Sequence, residues 1–116
     1  MLIRSLADGI SFDAPNHRNV LGSILQTVPD AHGTQSVVCF SQYLPGGGAG
    51  PDSTPFDKLY VVLNGQLKIT AGGQDRLLGP MDSCLIPAGE VRDIVNPTKN
   101  VVSLLVVLLS APKTPD

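Results

Sequence analysis

Side chains that bind metals or act as nucleophiles are scarce in this chain, which has two histidines and two cysteines among its 116 residues. His17 and His32 lie in segments that we predict to be loops, and a metal site needs three or four ligands that converge. Cys39 and Cys84 lie within the apolar runs VVCF and SCLI, which indicates buried packing because an unpaired cysteine behaves as a small apolar residue. Histidine and cysteine therefore predict neither a metal centre nor a catalytic thiol.

A glycine-rich run, Gly46 to Gly50, is the other segment whose residue types suit ligand binding. Phosphate-binding loops of this kind end in Gly-Lys-Ser or Gly-Lys-Thr and lead into a helix. Neither feature follows here. We predict instead a flexible connection between two strands, at the rim of the fold.

The composition predicts one folded domain that is built mainly of strands. Apolar residues make up 42% of the chain and charged residues 16%, a balance that disfavours disorder. The 12 glycines and 10 prolines suit many short strands better than long helices. A net charge of −2 without a cluster of Lys and Arg excludes nucleic acid and membrane surfaces as expected partners.

The chain lacks the features of a secreted or membrane-spanning protein, so we expect a cytoplasmic location. Its start shows no signal-peptide pattern, and its longest apolar run, Val101 to Leu109, is too short to span a bilayer. That run is apolar on both faces of a strand, which requires a second layer over its outer face. We therefore expect a homodimer that forms through a sheet face.

Strand signals recur along the chain between clusters of glycine, proline and asparagine. They cover residues 20–28, 36–43, 56–63, 66–71, 75–78, 83–86, 91–95 and 101–109. Asn64-Gly65 predicts a tight hairpin and Gly72-Gly73 a second one. This spacing predicts a β-sandwich or β-barrel. The predicted division is an N-terminal extension with short strands (1–35), a barrel (36–110) and a frayed tail (111–116).

Two segments, Leu44 to Gly65 and Gly79 to Asn96, resemble the two motifs of the cupin superfamily. The resemblance covers residues 36–108, and the matching elements are Leu44-Pro45-Gly46, Tyr60-Val61-Val62-Leu63-Asn64-Gly65 and Ile86-Pro87-Ala88-Gly89. It implies a small single-domain cupin, an all-β double-stranded β-helix or jelly-roll barrel, of a kind that forms homodimers.

The first cupin motif normally supplies a His-x-His pair and a glutamate to a metal ion, and the second motif supplies one more histidine. Counted back from the glycine that closes the first motif, the glutamate position falls on Lys58. The histidine pair falls on Pro51 and Ser53 or, with a shorter gap, on Asp52 and Thr54. The resemblance thus implies the fold without its usual first-motif ligands.

The second motif places Arg92 at the remaining histidine position. Arg92 and Lys58 would then direct two positive charges at the place of the metal, where they repel a cation and favour an anion. Tyr60 shares the parity of Lys58 along its strand, and Asn96 shares that of Arg92. We therefore expect no metal and no other cofactor. The expected ligand is a small anionic organic molecule, bound by Lys58, Arg92, Tyr60, Ser53 and Asn96.

Whether the protein is an enzyme stays open on the sequence. Lys58 and Tyr60 are the candidate catalytic residues, because a second cation nearby lowers the pKa of a lysine and makes it a base or nucleophile. Each charge also has a structural interpretation: Lys58 pairs with an aspartate, and Arg92 closes the barrel mouth through a salt bridge. The aspartates available to Lys58 are Asp52, Asp57 and Asp93.

Two other functions stay open beside acid binding. One is a metal-dependent oxygenase or isomerase with unorthodox ligands such as Asp52, Asp57 and His32. The other is a non-catalytic dimeric module that senses a ligand or supports a partner subunit. The sequence also leaves open whether His17 or His32 folds over the barrel mouth.

Overall fold

A computed structural model of the protein describes residues 1–112. The order of its elements is a 3-10 turn at Leu6–Asp8, β1 Ile10–Phe12, β2 His17–Pro29, a 3-10 turn at Ala31–Gly33, β3 Thr34–Asp52, β4 Lys58–Asn64, β5 Leu67–Ala71, β6 Gln74–Leu78, β7 Ser83–Ile86, β8 Arg92–Val95 and β9 Val102–Pro112. The predicted all-β fold is confirmed, and the predicted strands from residue 56 onward match the observed ones to within two or three residues at almost every end.

The strands form one strongly curved antiparallel sheet in the order β6-β5-β8-β3-β9-β4-β7. Its two edge strands, β6 and β7, face each other across a shallow groove, so the sheet almost closes into a barrel. Strand β3 belongs to both walls: residues 34–43 pair with β9, and Gly48, Ala49 and Asp52 pair with β8. This is the double-stranded β-helix that the sequence predicted.

The two predicted hairpins have different outcomes. Gly72 and Gly73 join β5 to β6 as expected, with φ values of 58° and 74° and with Ala71 paired to Gln74. The hairpin at Asn64-Gly65 is wrong, because β4 pairs with β7 and β9 while β5 pairs with β6 and β8. The turn carries the chain from one wall of the barrel to the other. The Asn64-Gly65 dipeptide predicts a tight turn, but it does not show which strands become neighbours in the sheet.

The glycine-rich run is not the flexible connection that we predicted. It lies inside β3, and residues 47–50 are buried. A Cβ on Gly47 would lie 2.5 Å from the Asn19 carbonyl oxygen, and one on Gly48 would lie 2.6 Å from the Ile94 carbonyl oxygen. The glycines therefore let β2 and β8 approach β3 on both sides, which is a packing role for glycine in a strand.

Strand β2 and the last residues of β9 are both tied to β3. Strand β2 runs along β3 from Pro29 back to His17 and adds a strand to its edge. At the other end, Ala111 is buried and Pro112 pairs with Thr34, so these two residues are strand rather than frayed tail. Residues 113–116 of the predicted tail lie outside the described residues.

An apolar core fills one end of the barrel, and its most buried members come from five strands. They are Ala49, Val62, Leu67, Ile94, Val102 and Leu104. The inward parity predicted for Tyr60 is confirmed, and Val62 lies on the same face of β4. Cys39 is buried, and burial raises the pKa of its thiol to about 11, as expected for a packing residue. No helix within residues 1–112 has the length and apolar character that a membrane span requires.

Candidate functional site

A cavity of about 560 Å³ occupies the other end of the barrel. Strands β2, β3, β4, β8 and β9 contribute to its wall, and the segment between β1 and β2 covers part of its mouth. Most of the wall is apolar and includes Phe12, Val20, Tyr43, Phe56, Val106 and Leu108. Its polar lining side chains include Asp13, His17, Asp52, Thr54, Lys58 and Arg92 together with the hydroxyl of Tyr60.

Lys58 begins strand β4 and points into this cavity. Its side chain is only 2% exposed, and its Nζ has no hydrogen-bond partner. Burial, reinforced by the charge of Arg92 and opposed by that of Asp52, lowers the pKa of Lys58 to about 8. The strand geometry explains the orientation, since Lys58 shares its face with the buried Tyr60 and Val62.

Arg92 begins strand β8 and reaches the same cavity. Its Nε donates a hydrogen bond of 3.0 Å to the Tyr60 hydroxyl, while its Nη1 is buried without a partner. Burial is the main cause that raises the pKa of Tyr60, so its O–H stays protonated and free to donate. A Cβ on Gly50 would lie 2.8 Å from Arg92 Nη1, so this glycine makes room for the guanidinium.

His17 lies at the cavity rather than in a loop, because it is the first residue of β2 and pairs with Ala49. Its Nδ1 is 2.7 Å from the carbonyl oxygen of Pro15, which requires the proton on Nδ1 and leaves Nε2 as an acceptor. Burial lowers the pKa of His17, and the charges of Arg92 and Lys58 add to this effect. His32 lies in an exposed turn with a φ of 63° and contributes nothing to the cavity.

The two alternative alignments of the first motif can now be separated. Asp52 and Thr54 line the cavity, whereas Ser53 is exposed and lies outside it. The structure therefore does not bring Ser53 to the cavity with the other predicted ligand residues. Neighbouring residues of an extended chain point to opposite sides, and Asp52 is the cross-strand partner of Arg92.

Asn96 is likewise not brought to the cavity, where we predicted a ligand contact. Its side chain is 1% exposed, but it lies away from the cavity and serves the turn after β8. Its amide donates to the carbonyl oxygens of Tyr43 (2.9 Å) and Asn100 (2.7 Å). Its Oδ1 accepts from the backbone N–H and the hydroxyl of Thr98. The Asn96 side chain therefore donates two hydrogen bonds and accepts two, all of them within the protein.

The charges of the cavity form no internal ion pairs. Within residues 1–112, the one salt bridge joins Lys68 to Asp75 on the outer surface, at 3.5 Å. The structural interpretations of Lys58 and Arg92 as members of salt bridges are therefore wrong, and both buried cations keep an unsatisfied donor. A buried charge without a partner is costly, which makes these two side chains the centre of the candidate site.

The donor set does not fit the metal of the family. The described part of the chain holds no cluster of three or more His, Cys, Asp or Glu side chains. The unorthodox set is not assembled: His32 is exposed in its turn, and the Asp57 carboxylate accepts a hydrogen bond of 2.8 Å from the Ala88 N–H. Asp52 remains at the cavity, but Lys58 and Arg92 stand beside it. That the protein carries no metal stays a prediction.

Comparison with known proteins agrees with this architecture. Residues 39–108 match the cupin domain family. The chain is a member of the cupin family. It is 38% identical over 95 residues to the β-D-galactosidase Rv1717 of Mycobacterium tuberculosis, and the matched region covers 82% of each protein. Proteins of this fold carry names of different activities. Family membership therefore establishes the fold and does not identify a reaction, which has to be argued from the cavity.

Solved cupin structures share the fold at low sequence identity. The polyketide cyclase RemF of Streptomyces resistomycificus superposes with a TM-score of 0.77 at 21% identity, over 93% of this chain and 78% of the cyclase. KdgF of a Halomonas species gives a TM-score of 0.70 at 17% identity, over 91% of this chain and 88% of KdgF. At these identities the likeness establishes the fold alone.

Proposed function

We propose that the protein binds a small organic acid in the barrel cavity, with the carboxylate between Arg92 and Lys58. One observation carries the proposal: Arg92 Nη1 and Lys58 Nζ are buried, face one cavity and have no hydrogen-bond partner within residues 1–112. A carboxylate supplies the missing acceptors and offsets both charges. The planar fork of arginine suits a carboxylate, and lysine adds a point charge.

The rest of the cavity supports a small-molecule ligand with an apolar carbon skeleton. Its volume of about 560 Å³ lies in the range of small-molecule sites, which join apolar walls to a few polar groups that fix orientation. The Tyr60 hydroxyl, already held by Arg92, can donate to a second oxygen of the ligand. No metal is required for this recognition.

The direct test is to identify what the protein binds. Native mass spectrometry of protein purified without a histidine tag should reveal a small acid, and calorimetry should then give its affinity. Plasma emission should find no stoichiometric iron, zinc, nickel or manganese. One such metal per chain would contradict the proposal, and so would a panel of carboxylic acids none of which binds.

A second candidate function is glycoside hydrolysis, which is favoured by the M. tuberculosis relative and by two carboxylates in the cavity. Asp13 and Asp52 both line it, and glycoside hydrolases use a carboxylate pair, one as acid and the other as base or nucleophile. Asp52→Asn separates the two functions. It should abolish hydrolysis of nitrophenyl β-D-galactoside but tighten acid binding, because it removes a negative charge beside Arg92 and Lys58.

We further propose that a second copy covers the outer face of strands β3, β9, β4 and β7. Its cross-strand neighbours are apolar and only partly buried in the single chain: Val38, Val107, Leu59 and Leu85 form one row, and Phe40, Leu105 and Val61 form another. Light scattering should give twice the mass of the 12.2 kDa chain. Val107→Glu should give the monomer mass, and Lys99→Glu, on an exposed loop, should not.

A further inference from the structure

Lys58 has the surroundings of a lysine that reacts with carbonyl groups. Its amine is buried at the start of β4 among apolar wall residues, among them Phe56 and Leu108, and it donates to no protein atom. Lysine becomes nucleophilic when an apolar pocket or a second cation disfavours its charged form. Both conditions are met here, because Arg92 is the largest electrostatic cause that lowers the pKa of Lys58, after burial itself.

The distances place the amine beside a carboxylate site. Lys58 and Tyr60 share one face of β4 two positions apart, which is about 7 Å along a strand. The Tyr60 hydroxyl is 3.0 Å from Arg92 Nε. Lys58 and Arg92 line the same cavity, and the charge of Arg92 acts on the Lys58 amine. We therefore expect a carboxylate bound at Arg92 to present its neighbouring carbon atoms to that amine.

We propose that Lys58 forms an imine with the ketone or aldehyde carbon of a 2-oxo acid whose carboxylate is bound by Arg92. The inference rests on the proposed acid site and names its substrate class. In a 2-oxo acid the carbonyl carbon is bonded to the carboxylate carbon, so one small molecule presents an anion to the guanidinium and an electrophile to the amine.

The reaction balances without an oxidant or a reductant. The neutral amine of Lys58 attacks the carbonyl carbon and forms a C–N bond. The former carbonyl oxygen then leaves as water with the two protons of the amine, and a C=N double bond remains. The Tyr60 O–H can donate to the departing oxygen, and His17 Nε2, the unprotonated ring nitrogen, can accept and return a proton.

Reductive trapping with pyruvate tests the imine directly. The protein is incubated with pyruvate and cyanoborohydride, which reduces an imine to a stable secondary amine, and the adduct is located by peptide mapping. We expect one adduct per chain, on Lys58. The exposed Lys99 and the surface Lys68, which pairs with Asp75, are internal controls and should stay unlabelled. Lys58→Arg keeps the charge and should lose the label.

The pH profile of trapping separates a built site from chance labelling. The titratable and charged groups that share the cavity with the amine come from five parts of the chain: Asp13 before β2, His17 from β2, Cys39, Tyr43 and Asp52 from β3, Tyr60 from β4 and Arg92 from β8. Labelling at Lys58 should rise with the fraction of neutral amine across about pH 6–9, because the pKa of Lys58 is about 8. An ordinary surface lysine stays almost fully charged over this range.

Calorimetry with propionate and pyruvate distinguishes failure of this inference from failure of the acid site. Propionate has the carboxylate but no ketone, so it should bind and protect Lys58 from labelling. If both acids bind and no adduct forms on Lys58, or if label appears on Lys68 and Lys99 alone, the imine is refuted and the acid site stands. If no carboxylic acid binds, the proposed function itself fails.

Discussion

Arg92 and Asn96 stand at opposite ends of one short segment, and they show two ways to bury a polar side chain. Both point into the barrel, with exposed fractions of 4% and 1%. Asn96 exchanges four hydrogen bonds with the backbone and side chains around it. Arg92 makes one, to Tyr60, and leaves Nη1 without an acceptor.

We interpret this difference as one between a structural polar group and a polar group that is available to a ligand. Buried polar groups in folded proteins are almost always satisfied, so a satisfied amide needs no further explanation and an unsatisfied guanidinium does. Lys58 repeats the pattern of Arg92 on the opposite wall. Burial alone does not distinguish Lys58, Arg92 and Asn96, and it would have placed all three polar side chains in one site.

The largest expected effect tests the structural role of Asn96. Asn96→Ala should lower the free energy of unfolding by about 2–3 kcal/mol, because it leaves the buried carbonyl oxygen of Tyr43 and the Thr98 donors without partners. Urea denaturation measures the loss. The affinity for a bound acid, measured by calorimetry, should not change.

Asn100→Ala is the matched control for Asn96→Ala. The Asn100 side chain lies exposed in the same turn, and only its backbone carbonyl meets Asn96. Its removal should cost little stability. Equal losses for the two variants, or weaker acid binding in Asn96→Ala, would place Asn96 in the ligand site after all.

The second-largest expected effect tests the proposed ligand contact of Arg92. Arg92→Ala should weaken the binding of a small acid by about ten- to a hundredfold, since a desolvated charge-assisted hydrogen bond is worth about 1.5–3 kcal/mol. The substitution also removes an unpaired buried cation, so stability should fall little. Arg76→Ala, which alters an exposed arginine on β6, should change neither quantity. Unaltered affinity in Arg92→Ala would refute the carboxylate site.

The sequence predicted those parts of the site that depend on strand alternation. Lys58, Tyr60 and Val62 share one face of β4, and a period of two along a strand is enough to place them inside the barrel. The same rule puts Arg92 inside. Alternation also predicts that Asp52 and Ser53 point to opposite sides of the chain. The sequence left two alignments of the first motif open, so it did not show which of the two residues faces the cavity, and only the fold decides between them.

The parts that sequence reasoning missed depend on contacts between distant residues. His17 reaches the cavity because β2 extends along β3 as far as Ala49, and no local pattern around His17 signals that pairing. Asp13 was missed for the same reason. Sequence reasoning also missed the structural partners of Asn96, which come from the Asn96–Asn100 turn and from Tyr43, 53 positions earlier in the chain.

The smallest expected effect concerns the dependence of stability on pH. The pKa of Lys58 is about 8 in the folded protein, against an ordinary value of 10.5. Between these two values the unfolded chain binds more protons than the folded chain, so stability rises with pH across that interval. Below pH 8 the amine is charged in both states, and the folded state bears the whole cost of its burial. The full shift is worth about 3 kcal/mol at about 1.4 kcal/mol per pKa unit, but solvent at the mouth of the cavity screens part of the charge. The native protein should therefore gain about 1–2 kcal/mol of unfolding free energy between pH 8 and 10.5 from this group.

Lys58→Met isolates this contribution, because methionine fills a similar volume and does not titrate. The variant should be at least as stable as the native protein at neutral pH, and the advantage should shrink as pH approaches 10.5. Tyr43 and Tyr60, whose pKa values are raised by burial, lower stability above their ordinary range in both proteins, so the difference between the two urea-denaturation curves cancels them. A difference that is independent of pH would show that Lys58 is solvated in the empty cavity. In that case Arg92, and not Lys58, would differ from Asn96 in having a desolvated group without a hydrogen-bond partner.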